Sequence, residues 1–273
     1  MIKRSADQIK FHYEVEKELA ARLRRATREE RKQLYTPLYD ELFRTVSDHP
    51  MLHANSMHDD GERMAHLKWL TGSLHNNAVY LELGPGDCGF ASRVAAMVAL
   101  VHAVDVTEKL LGDSPTFPDN LRFHVSDGTG IPIEDGLVDV AYSNQLMEHL
   151  HEDDARLQLE EVYRVLKPGG QYYCVTPSRF SGPHDISKYF STEAEGFHLK
   201  EYALSDISAV FKGVGFRSVQ PYMFFKGHPF KVPYVLLAAL ESILAAIPQS
   251  LAKPIARARP WTRILGLNVI ATK

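Results

Sequence analysis

Cysteine is nearly absent: Cys88 and Cys174 are the only two in 273 residues. Two are too few for a disulfide framework or a zinc cluster, and a reducing compartment is expected. Long apolar runs are also missing. None reaches the roughly 20 residues that a bilayer-spanning helix needs, and Met1 to Lys10 has no apolar core of the kind a secretion signal carries. Cytoplasmic location is the expectation. Charge of one sign is lacking too, since 31 Lys and Arg against 34 Asp and Glu leave a net charge of −3. No global field recruits nucleic acid, and no basic stripe with interleaved aromatics marks a nucleic-acid surface. What remains is 45% hydrophobic and 24% charged. That composition belongs to a globular chain long enough for one α/β domain with additions.

The chain is organised around Val79-Tyr80-Leu81-Glu82-Leu83-Gly84-Pro85-Gly86-Asp87-Cys88-Gly89. A short apolar run ends in a carboxylate and a glycine-rich turn, and an alanine-rich segment from Phe90 to Leu100 predicts a helix. Glycines at 84, 86 and 89 let the backbone approach a ligand. Glu82 and Asp87 flank the turn, where a pyrophosphate would need bare amides free of anions. Acids there favour a cationic ligand, and S-adenosylmethionine is one. The spacing Gly84-x-Gly86-x-x-Gly89 with Asp105 also satisfies the pattern of an NAD-dependent oxidoreductase, which stays open as an alternative. A binding protein without catalysis is another.

Further strands are predicted at 100–106, 121–125, 138–144, 171–176, 216–225 and 266–272. Their carboxyl ends carry Asp105, Asp127 with Gly128, and Asn144 with Gln145, which converge with 82–87 on one crevice. Ser5 to Lys32 predicts a long amphipathic helix and Leu38 to Val46 a second, with Pro37 as the interruption. Tyr35, Tyr39 and Phe43 are candidates to line a substrate lid. The segment from Pro177 to Lys200 reads as a long loop over the crevice.

In this order the motifs resemble those of class I S-adenosylmethionine-dependent methyltransferases of the type 11 kind: Glu-Leu-Gly-Pro-Gly-Asp-Cys-Gly at 82–89, acids at 105 and 127, Ser-Asn-Gln-Leu-Met-Glu-His-Leu at 143–150 and Arg-Val-Leu-Lys-Pro-Gly-Gly at 164–170. The resemblance implies a Rossmann-like α/β fold, a seven-stranded, mostly parallel sheet with helices on both faces. Residues 1–58 would form a helical extension or lid, and residues 59–273 the methyltransferase domain with a helical insertion at about 230–264. It implies that Glu82, Gly84, Pro85 and Gly86 hold the methionine end of S-adenosylmethionine, Asp105 and Val106 the ribose, Asp127 and Gly128 the adenine, and Asn144 with Gln145 the floor under the sulfonium. His149, His198 and His184 are the candidate catalytic residues, with Asp185 as an orienting carboxylate. In some related O-methyltransferases a Glu-x-x-Glu-His run and a later histidine bind a divalent metal. Gln145 replaces the first of those acids, and no metal is expected. Glu148 and His149 can instead brace their loop or supply a general base.

The expected acceptor is a small molecule enclosed under the lid, with O-methylation favoured over N-methylation. For the insertion, the apolar segment from Val232 to Ile247, followed by Lys253, Arg257, Arg259 and Arg263, is expected to roof an apolar acceptor pocket or form a homodimer contact. Peripheral membrane contact is the alternative.

Overall fold

The computed structural model describes residues 4–53, 60–112, 115–259 and 261–273, and the 58/59 domain boundary falls outside them. Two capping boxes start the N-terminal layer. The Ser5 hydroxyl accepts from the Gln8 amide while the Gln8 side chain accepts from the Ser5 amide at 2.8 Å, opening α1 (Ala6–Arg25). Thr27 and Glu30 repeat the device for α2 (Arg28–Thr45). The break between the helices therefore lies at 26–27, and α2 runs through Pro37. A proline inside a helix costs about 3 kcal/mol. Burial of Tyr35, Leu38, Leu42 and Phe43 on the same helix outweighs that cost, each large apolar side chain contributing about 1.5–3 kcal/mol.

Eight strands form one sheet in the order β3-β2-β1-β4-β5-β8-β6-β7. The strands β1 (Val79–Leu83), β2 (Leu100–Asp105), β3 (Leu121–Val125), β4 (Val138–Asn144) and β5 (Leu166–Thr176) pair in parallel. β8 (Leu267–Thr272) inserts antiparallel between β5 and β6 (Ser218–Phe225). The mostly parallel, Rossmann-like architecture is as expected, with one strand more than seven. Lys226 and Gly227 both have positive φ, 49° and 74°, the backbone of a tight hairpin, and the chain returns along β6 as the edge strand β7 (His228–Lys231). β5 also starts earlier than expected: Lys167-Pro168-Gly169-Gly170 belongs to the strand, and a register shift against Val138 and Val140 absorbs it.

Helices cover both faces. α3 (Asp60–Leu70) and α4 (Gly89–Ala95) pack Trp69 and Phe90 over Tyr80, Tyr142 and Tyr173. On the other face, α1, α2, α5 (Glu152–Val165) and α6 (Leu204–Val214) share a core with Leu81, Leu83 and Tyr172. The insertion forms α7 (Tyr234–Ala246), α8 (Gln249–Arg257) and α9 (Trp261–Leu265). Glu241, an acid in an apolar run, is buried, and both its oxygens accept from the Leu204 amide at 3.0 Å. It caps the start of α6 and pins α7 to the domain.

Candidate active site

β1 lies between β2 and β4, so the chain crosses to opposite sides at the carboxyl end of β1 and a crevice opens there. Gly84 and Gly86 turn through it with φ of 66° and 56°. A Cβ on Gly84 would stand 3.2 Å from Leu146, in a conformation that side chains rarely adopt. Asp105 ends β2 on the same cavity. Its Oδ1 accepts from the Val106 amide at 2.7 Å, whereas Oδ2 has only a long 3.3 Å contact from Gly86. Burial pushes its pKa up, against those amides.

α2 roofs this crevice. Thr36 Oγ1 donates to the Val106 carbonyl at 2.6 Å, and Thr107 Oγ1 donates to Asp40 at 2.8 Å. The Tyr35 ring lies on Gly128, where a Cβ would meet it at 2.9 Å. A buried clamp fixes that ring: Arg31 reaches Asp154 at 2.5 and 3.0 Å, and the Tyr35 hydroxyl donates to the same carboxylate at 2.8 Å while accepting from the His151 amide. Asp154 sits in the first turn of α5, where a negative charge is favoured.

The cavity brings together Gly84, Gly86, Asp105, Val106, Gly128, Gln145 and His149, together with Tyr35, Tyr39 and Phe43. Glu82, Pro85, Asp127, Asn144, His198 and His184 do not border it. Strand alternation explains two of these. Leu83 belongs to the core on the cavity side of the sheet, whereas Glu82 pairs in register with Tyr142 on the α3–α4 side, and Asn144 follows two residues on from Tyr142. Burial pushes Glu82 up to about 8, against the Tyr80 hydroxyl at 3.3 Å and the charge of Arg63. Asp127 instead ties its own loop. Burial opposes its ionisation, but the Gly130 and Thr129 amides, at 2.7 and 2.9 Å, outweigh that and hold its pKa down. The His184 ring is engaged by Ser181 Oγ at 3.0 Å and the Ser178 carbonyl at 3.2 Å.

Behind the cavity wall lie two buried clusters of histidine and carboxylate. In the first, His12 Nε2 is 2.6 Å from Glu16 and His49 Nε2 is 3.7 Å from it. Arg4 reaches His12 Nδ1 at 2.8 Å and the Met51 amide donates to His49 Nδ1. Both partners are obligate donors, so both Nδ1 atoms accept, and the Nε2 atoms carry protons toward Glu16. Burial would raise Glu16, but hydrogen bonds from His12 and His49 win and keep it ionised. This tautomer pattern leaves no imidazole lone pair for a metal.

The second cluster, Glu148, His149 and His198, differs. Glu201 holds His198 through Nδ1 at 2.8 Å and also accepts from the His184 amide, which leaves His198 Nε2 as an acceptor. His149 Nδ1 and Glu148 Oε1 are buried without a hydrogen-bond partner. The three residues offer donor atoms within 4.8 Å of one another, a set that can take a divalent cation or share protons. Burial pushes His149 down to about 3, His198 down to about 4 and Glu148 up to about 8. The His149 and His198 rings meet edge to face at 4.9 Å, and His149 carries this network to the cavity.

Residues 81–174 match the family described as a methyltransferase domain. The chain carries a class I S-adenosylmethionine-dependent methyltransferase domain. The matching relatives include a ubiquinone/menaquinone biosynthesis C-methyltransferase of Brucella suis, 31% identical over 44% of this chain and 47% of its own length. Another is phosphoethanolamine N-methyltransferase 1 of Triticum aestivum, 28% identical over 40% of this chain and 26% of its own. The chain spans about half, or less, of the length of the curated relatives it matches. Among solved structures, phosphoethanolamine N-methyltransferase 1 of Haemonchus contortus shares the fold with a TM-score of 0.55 at 17% identity, over 90% of this chain and 50% of that one.

The crevice of this methyltransferase domain fits its cofactor, S-adenosylmethionine. Gly84 and Gly86 clear the floor, and Asp105 presents a carboxylate whose Oδ2 is weakly engaged, suited to ribose hydroxyls. The NAD reading fits poorly, because Asp87 Oδ1 already accepts from the Gly89 amide at 2.9 Å, at the helix start where a pyrophosphate would sit. Thr36, Asp40, Thr107 and the Arg31 clamp are part of the site that sequence reasoning missed. A signal was present: Arg31, Tyr35, Tyr39 and Phe43 are four apart and share one helix face.

Proposed function

We propose that this chain methylates a small molecule at an amine nitrogen. The observation that carries this reading is a cavity wall in which the aromatic side chains of Tyr35, Tyr39 and Phe43 adjoin His149 beside the cofactor crevice. When bound, S-adenosylmethionine supplies an electrophilic methyl group on a sulfonium. The acceptor nitrogen forms its bond to that carbon while the sulfur keeps the electron pair of the broken bond. Positive charge thereby moves to nitrogen and one proton must leave. Tyr39, stacked on Phe197 at 4.9 Å, presents its face with Phe43 to the growing cation. His149 accepts a hydrogen bond from the amine N–H and aims the lone pair, and the proton leaves the alkylated nitrogen to water after transfer.

A hydroxyl acceptor must give up its proton as it attacks, and burial lowers the basicity of His149, the base nearest the aromatic wall. A neutral amine is nucleophilic without that step. N-methylation by the Triticum aestivum relative supports the same choice, while the Brucella suis relative is named for carbon. The test is to incubate the chain with cofactor and matched pairs of alkyl and aryl amines and alcohols. Turnover of amines with alcohols inert is expected. Turnover restricted to alcohols would restore O-methylation.

A further inference from the structure

From Lys226 to Arg263 the chain holds six Lys or Arg and one acid, within a protein of net charge −3. That acid, Glu241, is buried as the cap of α6, so the exposed charges of this segment are cations, although Lys253 and Arg257 turn to the carbonyls of Thr192, Ser181 and Gly182. It is also apolar. α7 buries Leu237, Glu241 and Leu244, spaced four and three apart, and turns Val235, Leu236 and Ile243 outward at 75%, 65% and 62% exposure. α8 buries Ala252 and Ala256 and exposes Leu251 and Ile255. Phe230 pairs with Met223, and Phe225 lies two residues along the same strand, so both exposed rings stand on the sheet face where Met223 joins the core of Leu237.

A monomer leaves this much apolar surface open only where something covers it. We propose that the α7–α9 insertion and the β6–β7 hairpin dock on the surface of an anionic lipid bilayer. Val235, Leu236, Ile243 and Leu251 enter the headgroup boundary, while Lys231, Arg259 and Arg263, which have no acidic partner among the described residues, meet lipid phosphates. Charge favours the bilayer over a second copy of the chain. A two-fold contact through this face sets its cations against themselves, whereas an anionic surface complements them. No helix of the described residues is long and apolar enough to cross the membrane, so the contact is peripheral. The insertion does not border the cofactor cavity; Leu244, Ile247 and Ala252 line a second cavity together with Phe180, His198 and Glu201. Arg257 instead ties α8 to the carbonyls of Ser181 and Gly182, in the loop that leads to His198.

Flotation of the full chain with phosphatidylcholine vesicles, with and without about a third phosphatidylglycerol, tests this. Co-flotation with the anionic vesicles is expected, at least about tenfold above the neutral ones and weakened by salt. Leu236→Glu with Ile243→Glu should abolish it, and Arg259→Glu with Arg263→Glu should remove the anionic preference. Circular dichroism and cofactor affinity should be unchanged in both. Failure to float with either vesicle, or flotation indifferent to both double variants, would overturn the proposal. So would a dimer in sedimentation that the apolar double variant dissociates, which would assign the face to a second copy.

Discussion

Asp105→Ala weakens S-adenosylmethionine binding by about 100-fold or more while the protein stays folded. Asp105 is the one carboxylate among the expected ligands that reaches the cavity, and its Oδ2 has no short protein partner. Two charge-assisted hydrogen bonds to vicinal hydroxyls, at about 1.5–3 kcal/mol each, carry a loss of that size. Asp105→Asn separates the roles. The amide keeps an oxygen for Val106 and so keeps the turn, but loses the charge, and an intermediate loss is expected. Calorimetric titration with S-adenosylhomocysteine measures both variants, and unchanged affinity in both would place the cofactor elsewhere.

His149→Ala lowers turnover by about 100-fold with cofactor affinity nearly unchanged. The imidazole borders the cavity, carries a buried Nδ1 without a partner and stacks edge-on against His198, so it acts on the acceptor rather than on the adenosine. Its pH signature is specific. Burial holds His149 at about 3 and His198 at about 4, so neither changes charge near neutrality. The turnover profile should therefore lack an inflection near the usual histidine value of about 6.5 and rise with pH as the acceptor's ammonium deprotonates. Chelation with EDTA divides the two capacities of the Glu148, His149 and His198 cluster. An unaltered rate assigns it to hydrogen bonding with the acceptor; loss of activity restored by a divalent ion assigns it to a metal.

The glycine turn, the strand ends and the order of motifs were legible because each rests on local chemistry: a positive φ at Gly84, an acid at the end of an apolar run at Asp105. That Glu82 and Asn144 stand off the cavity wall was not legible, because an acid or amide near a strand's carboxyl end looks equally available whichever face it points to, and only the register of β1 against β4 sets the face. For the Tyr35 clamp the helix face of Arg31 and Tyr35 was legible but its partner was out of reach, since Asp154 lies 119 residues away in sequence. The two capping boxes, by contrast, were written in Ser5-x-x-Gln8 and Thr27-x-x-Glu30 and place the helix break that Pro37 obscured.

Methyl transfer itself is tested most directly by incubating the chain with S-adenosylmethionine labelled in its methyl group and a metabolite extract, then locating the label by mass spectrometry and NMR. A small molecule that gains the labelled methyl on nitrogen, in amounts matching the S-adenosylhomocysteine formed, is the predicted result. Label confined to oxygen or carbon would contradict the amine assignment, and an unlabelled extract in which the chain reduces NAD would contradict the cofactor.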